Sequence, residues 1–186
     1  NRCVQIATLL LLSPLSAFGE WQRHTIDSSS QGADGVRIED INGDGHPDVA
    51  TGWEEGGLIR VYLHPGYESV KQPWPKITVG EVTSPEDAIL VDFDGDGTWE
   101  VLSSCEGKTK TIFAHWATTP RLAYNDSTRW QTLPVLITQK KESWMFALQL
   151  TPGSGSSNSI IVGSKGGNAS VSEIRVPKNF KEVDQW

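Results

Sequence analysis

The sequence predicts an all-β protein built from repeated four-stranded units. Three observations lead to this fold class. Two acidic loops lie 52 positions apart, short apolar runs flank each of them, and tryptophans recur at intervals of 53 to 56 residues. Short apolar runs bounded by turn residues are typical of β-strands. No long stretch shows helical periodicity, so we expect no substantial helix.

The two acidic loops, residues 40–48 and 92–100, share one pattern. Oxygen-bearing side chains occupy loop positions 1, 3, 5 and 9, a glycine follows position 5, and the backbone carbonyl of position 7 can add a ligand. Hard cations such as Ca²⁺ require this arrangement of oxygens in a tight turn. Position 12, where an EF-hand has glutamate, holds Thr51 and Ser103. We therefore predict metal loops that connect two strands rather than two helices.

Three units are visible, at about residues 21–73, 74–129 and 130–185. Each opens with a tryptophan followed by a predicted strand, at residues 21–26, 74–79 and 130–135. The third unit aligns through residues 146–150 and 160–163, but its loop, residues 151–159, has no carboxylate. We expect that loop to bind no metal, because hydroxyls and one amide do not compensate for dehydration of a divalent ion.

A period of fifty-odd residues with four short antiparallel strands per unit indicates blades of a β-propeller. Each unit is predicted to run strand, acidic loop, strand, glycine turn, strand, loop, strand. About three blades are present, which makes a partial propeller, whereas propellers typically close with about four to eight blades. We expect the remaining blades to lie on sequence outside these 186 residues.

The first nineteen residues resemble a secretory signal peptide. Arg2 precedes the apolar run of residues 6–12, and small residues follow at positions 17–19. This three-part pattern is typical of exported proteins, and the run is too short to span a membrane. The alternative is a buried first strand. We expect residues 20–186 to form the propeller blades of a secreted protein, extracellular or periplasmic.

Charge and motifs exclude several functions. The net charge of −7 argues against a general binder of nucleic acids or anionic membranes, since both require clustered Lys and Arg. The chain contains no nucleophile elbow, zinc-protease helix, phosphate loop or dinucleotide fingerprint. We therefore expect no catalytic activity from this chain alone.

Residues 40–52 resemble the FG-GAP or VCBS repeat of integrin-type calcium-loop β-propellers. The resemblance implies two bound Ca²⁺ ions, with Mg²⁺ as the alternative ion. The implied ligands of the first ion are Asp40, Asn42, Asp44, the carbonyl of His46, and Asp48. Those of the second ion are Asp92, Asp94, Asp96, the carbonyl of Thr98, and Glu100. Glu100 departs from the usual Asp, so its longer side chain is expected to bind through a shifted turn or a water molecule.

The resemblance also implies that charged residues gather at the end of the propeller opposite the metal loops. The candidate ligand-binding residues there are Asp34, Glu54, Glu55, Glu86 and Asp87, with Glu106, Lys108 and Lys165 nearby. A solvated loop surface is the alternative. His64 and His115 are expected at matching positions of successive third strands, in structural roles, and the repeated tryptophans are expected to pack between blades.

Two functional hypotheses follow. The first is a secreted, calcium-binding repeat propeller that binds a protein or carbohydrate ligand. The second rests on residues 32–35 and 52–57, which resemble the propeller of aldos-2-ulose dehydratase-like lyases. In that case the chain is the propeller portion of a larger carbohydrate-active lyase, whose cupin domains are absent from this sequence.

Overall fold

The computed structural model describes residues 22–119, 123–150 and 158–186, so the predicted signal peptide lies outside the described residues. Within these ranges the fold is three antiparallel sheets with short 3₁₀ turns at Ala123–Asn125, Ser127–Arg129 and Leu136–Thr138. The all-β prediction is confirmed, and four-stranded sheets are consistent with propeller blades. None of the described helical turns is long and apolar enough to cross a membrane.

The first two sheets have four strands each, paired in chain order. The first sheet consists of β1 (Ala33–Glu39), β2 (Asp48–Trp53), β3 (Leu58–Tyr62) and β4 (Lys76–Glu81). The second consists of β5 (Pro85–Val91), β6 (Glu100–Cys105), β7 (Ile112–Ala117) and β8 (Trp130–Pro134). Each acidic loop joins the first strand of its sheet to the second, as predicted.

The third sheet has three strands in the described part of the chain. They are β9 (Ser143–Leu150), β10 (Ser159–Lys165) and β11 (Val171–Arg175), with β10 in the centre. The predicted glycine turns after the second strands are present. Gly57, Gly107 and Gly166 all have positive φ values, a backbone conformation that glycine adopts without steric cost.

The tryptophan-led segments are offset from the sheets. Residues 74–79 and 130–135 contribute the fourth strands of the first and second sheets, β4 and β8, so each predicted unit begins one strand before its sheet. The prediction of a strand at residues 21–26 is wrong for the described residues 22–26, which lie in no strand. A strand requires hydrogen-bond partners for its backbone groups. In this segment the Ile26 carbonyl accepts a hydrogen bond from Trp74 N–H, which is not enough to form a strand.

Two apolar layers hold the sheets together. The layer between the first and second sheets includes Ala50, Val61, Ile77, Leu90 and Cys105, all buried. The layer between the second and third sheets includes Ile89, Leu102, Trp116, Ala147, Ile160 and Val162, and residues 177–186 fold back onto it through Phe180, Val183 and Trp186. Strands β5 and β6 are buried along their whole length, because the second sheet is covered by the first sheet on one face and by the third sheet on the other.

The two histidines do not occupy matching positions, so that prediction is wrong. The residue that pairs with Val49 in the first sheet is Tyr62, and the equivalent partner of Val101 in the second sheet is His115. His115 is fully buried and hydrogen-bonded to Ser103 Oγ and Thr132 Oγ1. His64 lies beyond the end of β3, stacked on His46 and against the edge of Trp74. Tyr62 and His115, 53 residues apart, are therefore the equivalent residues of the two third strands.

Candidate metal centre

The first acidic loop is a series of turns closed by its own carboxylates. Asp40 accepts hydrogen bonds from the backbone N–H groups of Gly43, Asp44 and Gly45, at 2.8, 3.1 and 2.9 Å. Gly43 and Gly45 both have positive φ, which permits this tight path. These hydrogen bonds hold the first loop in a tight turn.

The second loop repeats this geometry. Asp92 accepts from the N–H groups of Gly95 and Gly97, at 2.8 and 3.2 Å, and Asp96 accepts from Thr98 N–H at 2.6 Å. The same bond in the first loop runs from His46 N–H to Asp44, at 2.8 Å. The equivalence extends to the last position, where Asp48 and Glu100 accept from the N–H groups of Ile41 and Phe93.

Three carboxylates converge in the second loop. Ligand oxygens of Asp92, Asp94 and Glu100 lie within 4.8 Å of one another. Glu100 is 4% exposed, and burial, followed by the charges of Asp94, Asp92 and Asp96, raises its pKa to about 8. No Lys or Arg of the described chain forms an ion pair with these residues. An all-oxygen set of this charge fits Ca²⁺ or Mg²⁺, which would supply the compensating positive charge.

The first loop differs in its last ligand. Both carboxylate oxygens of Asp48 accept backbone hydrogen bonds, from Ile41 N–H at 3.1 Å and from His64 N–H at 2.8 Å. Burial raises the pKa of Asp48 despite these bonds. The longer side chain of Glu100 reaches the carboxylates of Asp92 and Asp94, whereas Asp48 holds the backbone at His64, just after β3. The third loop, residues 151–159, for which no metal was predicted, lies outside the described residues at positions 151–157.

Residues 40–103 match the family model of the FG-GAP-like repeat. This match covers both acidic loops and the strands from β2 to most of β6, the part of the chain in which the loop geometry is duplicated. No curated protein and no solved structure matches the chain. The similarity to the FG-GAP-like repeat is thus confined to the region that carries the candidate metal ligands.

A cavity lies between the two loops of the FG-GAP-like region. Its volume is about 510 Å³, and its lining comes from residues 40–43 and 97–99 together with Tyr124. Tyr124 OH accepts a hydrogen bond from Trp99 N–H at 3.0 Å. The sequence did not indicate Tyr124, because it lies before β8 in a segment that has no counterpart in the other units.

At the opposite end, the structure brings together some of the predicted ligand-binding residues. The carboxylates of Glu54, Glu86 and Glu106 lie within 4.8 Å of one another, and Lys165 Nζ pairs with Glu106 at 2.5 Å. Burial, a hydrogen bond with Glu106 and the charge of Glu106 raise the pKa of Glu86 to about 7. These four residues form an acidic cluster with one cation.

The other predicted members are engaged elsewhere. Asp87 is fully buried, and its Oδ2 pairs with Arg37 at 2.7 Å and accepts from Ala147 N–H at 3.3 Å. It therefore joins β5 to β1 and β9. Asp34 accepts from the N–H of Gly35, and Glu55 lies over Gly32. Asp87 thus has a structural role between strands, whereas Asp34 and Glu55 are exposed outside the acidic cluster.

Proposed function

We propose that this chain is a secreted, calcium-stabilised propeller-type interaction module in which each acidic loop binds one Ca²⁺ ion. The observation that carries the proposal is the convergence of Asp92, Asp94 and buried Glu100 without a basic partner in the described residues. A buried carboxylate beside two others needs a counter-charge to remain ionised. A bound divalent cation provides that charge.

The duplicated geometry supports two ions rather than one. In both loops the aspartates at loop positions 1 and 5 accept the same turn hydrogen bonds from backbone N–H groups. The similarity to the FG-GAP-like repeat covers both loops. Sites of this type, held by a short loop with several carboxylates, suit the calcium concentrations found outside cells.

The binding role follows from what the fold offers. Stacked repeat sheets present an extended surface on which loops vary without disturbing the core. The loops at the end opposite the metal loops carry the acidic cluster with Lys165, and a polar ligand, protein or carbohydrate, is the expected partner. Calcium then acts as a structural element that fixes the sheets, not as a reactant.

Isothermal titration with Ca²⁺ tests the proposal. The chelator-treated chain should bind about two ions, and Asp44→Ala with Asp96→Ala should remove both, because each substitution deletes a central carboxylate that also closes its turn. Each single variant should retain one ion. Glu68→Ala, at an exposed acidic position outside both loops, is the matched control and should retain two. An unchanged stoichiometry in the double variant would contradict the assignment.

The acidic cluster supports a second candidate function. A buried glutamate whose pKa is raised to about 7 beside a lysine-paired glutamate is typical of acid–base catalysis as well as of structural clusters. Under this reading the chain is the propeller portion of a larger carbohydrate-active lyase. Dehydration of a 2-keto sugar by the isolated chain would favour the lyase, whereas no dehydration agrees with either candidate, because the cupin domains of such lyases are absent from this sequence.

A further inference from the structure

Two amide side chains of the third sheet hold the backbone of the second acidic loop. Gln149, near the end of β9, donates a hydrogen bond from Nε2 to the Asp92 carbonyl at 3.4 Å. Asn158, which immediately precedes β10, donates one from Nδ2 to the Phe93 carbonyl. Asp92 and Phe93 are the first two residues of the loop. The beginning of this candidate metal loop is therefore held by a neighbouring sheet.

The peptide that accepts the hydrogen bond from Gln149 also contacts a candidate metal ligand. The carbonyl of this peptide belongs to Asp92, and its N–H belongs to Phe93, which donates to Glu100 Oε2 at 3.1 Å. One peptide thus connects Gln149 on one side with Glu100 on the other. Hydrogen bonds in such a chain polarise one another, and together they fix the peptide between them. The position of Glu100, one of the three converging carboxylates, is therefore tied to the third sheet.

Phe93 adds an apolar contact to these hydrogen bonds. Its ring is buried, and the ring centroid lies 5.6 Å from that of Phe180 and 5.3 Å from that of Trp186. Both partners follow β11 in the chain. Asn158 is itself fixed to the third sheet, because its backbone carbonyl accepts a hydrogen bond from Val176 N–H at 2.9 Å. The donor that reaches the second loop is thus anchored through its own backbone.

The first acidic loop has a different environment. Its second residue, Ile41, makes the equivalent bond to Asp48, at 3.1 Å. In the described part of the chain no side chain donates to the carbonyl of Asp40 or Ile41, in contrast to the equivalent carbonyls of the second loop. A cavity of about 510 Å³ lies beside residues 40–43 instead, with Trp99 in its lining. The two loops therefore share their internal hydrogen bonds but differ in what holds them from outside.

The same loop position lies against the preceding loop in both neighbouring pairs. Asn158 is position 8 of the third loop, residues 151–159, and Trp99 is position 8 of the second loop. Trp99 lies beside the first loop, and Asn158 contacts the second. The third loop contains no carboxylate, but it supplies the preceding loop with a hydrogen-bond donor. Its residues can therefore contribute to metal binding without binding an ion themselves.

We propose that Asn158 and Gln149 are positioning residues of the second metal site and couple that site to the third sheet. The inference rests on the proposed binding of Ca²⁺ by the second loop. Neither amide is a ligand, since each holds a backbone carbonyl of the turn that carries Asp92 and Asp94. A turn that is already held in place loses less conformational freedom when it binds, which increases affinity. Because such coupling is reciprocal, ion binding should in turn stabilise the third sheet.

Isothermal titration of the 186-residue chain with Ca²⁺ tests the positioning role in single-site backgrounds. Asp44→Ala leaves the second site, and there Asn158→Ala should weaken Ca²⁺ binding by about three- to tenfold, the effect of losing one hydrogen bond. Gln149→Ala should weaken it by about twofold, because its hydrogen bond is longer. Asp96→Ala leaves the first site, and in that background neither substitution should change the affinity.

A matched control separates positioning from general destabilisation. Asn168 carries the same amide and lies exposed in the turn between β10 and β11 of the same sheet, so Asn168→Ala should leave both sites unchanged. Retained affinity at the first site shows that a chain with Asn158→Ala is still folded. Equal weakening of both sites, or an unchanged second site when Asn158 and Gln149 are both replaced by alanine, overturns the positioning role.

Hydrogen exchange measures the coupling from the opposite direction. Ca²⁺ should slow exchange at residues 159–165 of the third sheet, although less than at residues 88–102, and replacement of both amides by alanine should remove the effect on the third sheet. An unchanged exchange rate at residues 159–165 would contradict the coupling. A chain that binds no Ca²⁺ at either loop would refute the proposed function and this inference with it. A second loop that binds Ca²⁺ equally well without the two amides would refute the positioning role alone.

Discussion

Gly35 interrupts β1 and is held against the following sheet. Its φ is +51°, and a Cβ there would lie 2.5 Å from Asp87 Oδ1 and 2.6 Å from the Glu86 carbonyl oxygen. The register of β1 against β2 shifts at this point, between Asp34 and Val36. Close approach of β1 to β5 therefore depends on the absence of a side chain at one residue.

Substitution of Gly35 by alanine tests this dependence. We expect Gly35→Ala to lower the free energy of unfolding by about 2–4 kcal/mol, because it combines an unfavourable φ with a clash against backbone and a buried carboxylate. Gly66→Ala is the control, since φ is +81° there but nothing lies within 4 Å of the added Cβ. It should cost about 1 kcal/mol. Equal losses in urea denaturation would contradict the packing argument.

Glu86 makes stability depend on pH. It is 6% exposed and faces Glu54, Glu106 and Lys165, and its pKa is raised to about 7 from an ordinary 4.5. Between these values the folded chain binds more protons than the unfolded chain. The stability contributed by the protonated form is therefore present below about pH 4.5 and is lost as the pH rises through about 7.

Replacement of Glu86 by glutamine should remove this dependence. The amide resembles the protonated acid, so Glu86→Gln should change the free energy of unfolding little at pH 5. At pH 8 it should increase that energy by on the order of 1 kcal/mol, because the buried charge is gone. Glu68→Gln, at an exposed site, serves as control. Denaturant melts at both pH values measure the difference, and a variant that is less stable at pH 8 would refute the sign.

At the scale of elements, the acidic loops control the two strands that each of them joins. Under the proposed metal binding, chelation should leave Asp92, Asp94, Asp96 and Glu100 unscreened in one turn of the second loop, and Glu100 is also the first residue of β6. In the first loop it should leave three carboxylates unscreened. Mutual repulsion should loosen these turns and the adjacent ends of their strands.

Hydrogen exchange with and without EDTA measures this effect. Deprotection should be greater at residues 88–102, which include the second loop, than at residues 143–150 and 160–165 of the third sheet, whose connecting loop has no carboxylate. Exchange should accelerate by at least about tenfold at the loop-proximal amides, equivalent to about 1.4 kcal/mol of local stability. Equal deprotection of the second and third sheets would contradict a local role for the ion.

The pattern of strands was predictable because each strand carries its own signal. The continuous apolar run Ala88–Val91, the apolar residues after the second acidic loop and the glycine after β6 sufficed to place β5, β6 and the turn. The strand predicted at residues 21–26 is absent from the described residues 22–26, because its hydrogen-bond partner is not determined by local sequence. Tyr62, not His64, is equivalent to His115 because register follows pairing across the sheet, which side-chain identity does not reveal.

At the scale of the whole molecule, the candidate site was only partly predictable. The oxygen pattern predicted three residues, Asp92, Asp94 and Glu100, that the structure brings together, and the family resemblance implied that Glu54 and Glu86 lie at the other end. Burial of Asp87 against Arg37 and Ala147 was not predictable, because it depends on how three separate sheets meet. The sequence pattern of a single repeat does not determine which of its residues contact the neighbouring repeats.

The functional alternatives differ in what the isolated chain can do. We expect no dehydration of 2-keto sugars by these 186 residues, with or without Ca²⁺. Among the four residues of the acidic cluster, only Lys165 could stabilise a developing oxyanion, and it is already paired with Glu106. Product formation followed by ultraviolet absorbance is the measurement. Activity that disappears in Glu86→Gln but persists in Glu68→Gln would favour the lyase over the interaction module.

The thiol of Cys105 can be used to measure how often the first two sheets separate. Its thiol is fully buried among residues of both sheets, and burial raises its pKa to about 12, so a maleimide or disulfide reagent cannot react with it in the closed state. In a Cys3→Ser background it is the single thiol. Its modification rate then reports how often this layer opens, and removal of the proposed calcium ions should increase that rate.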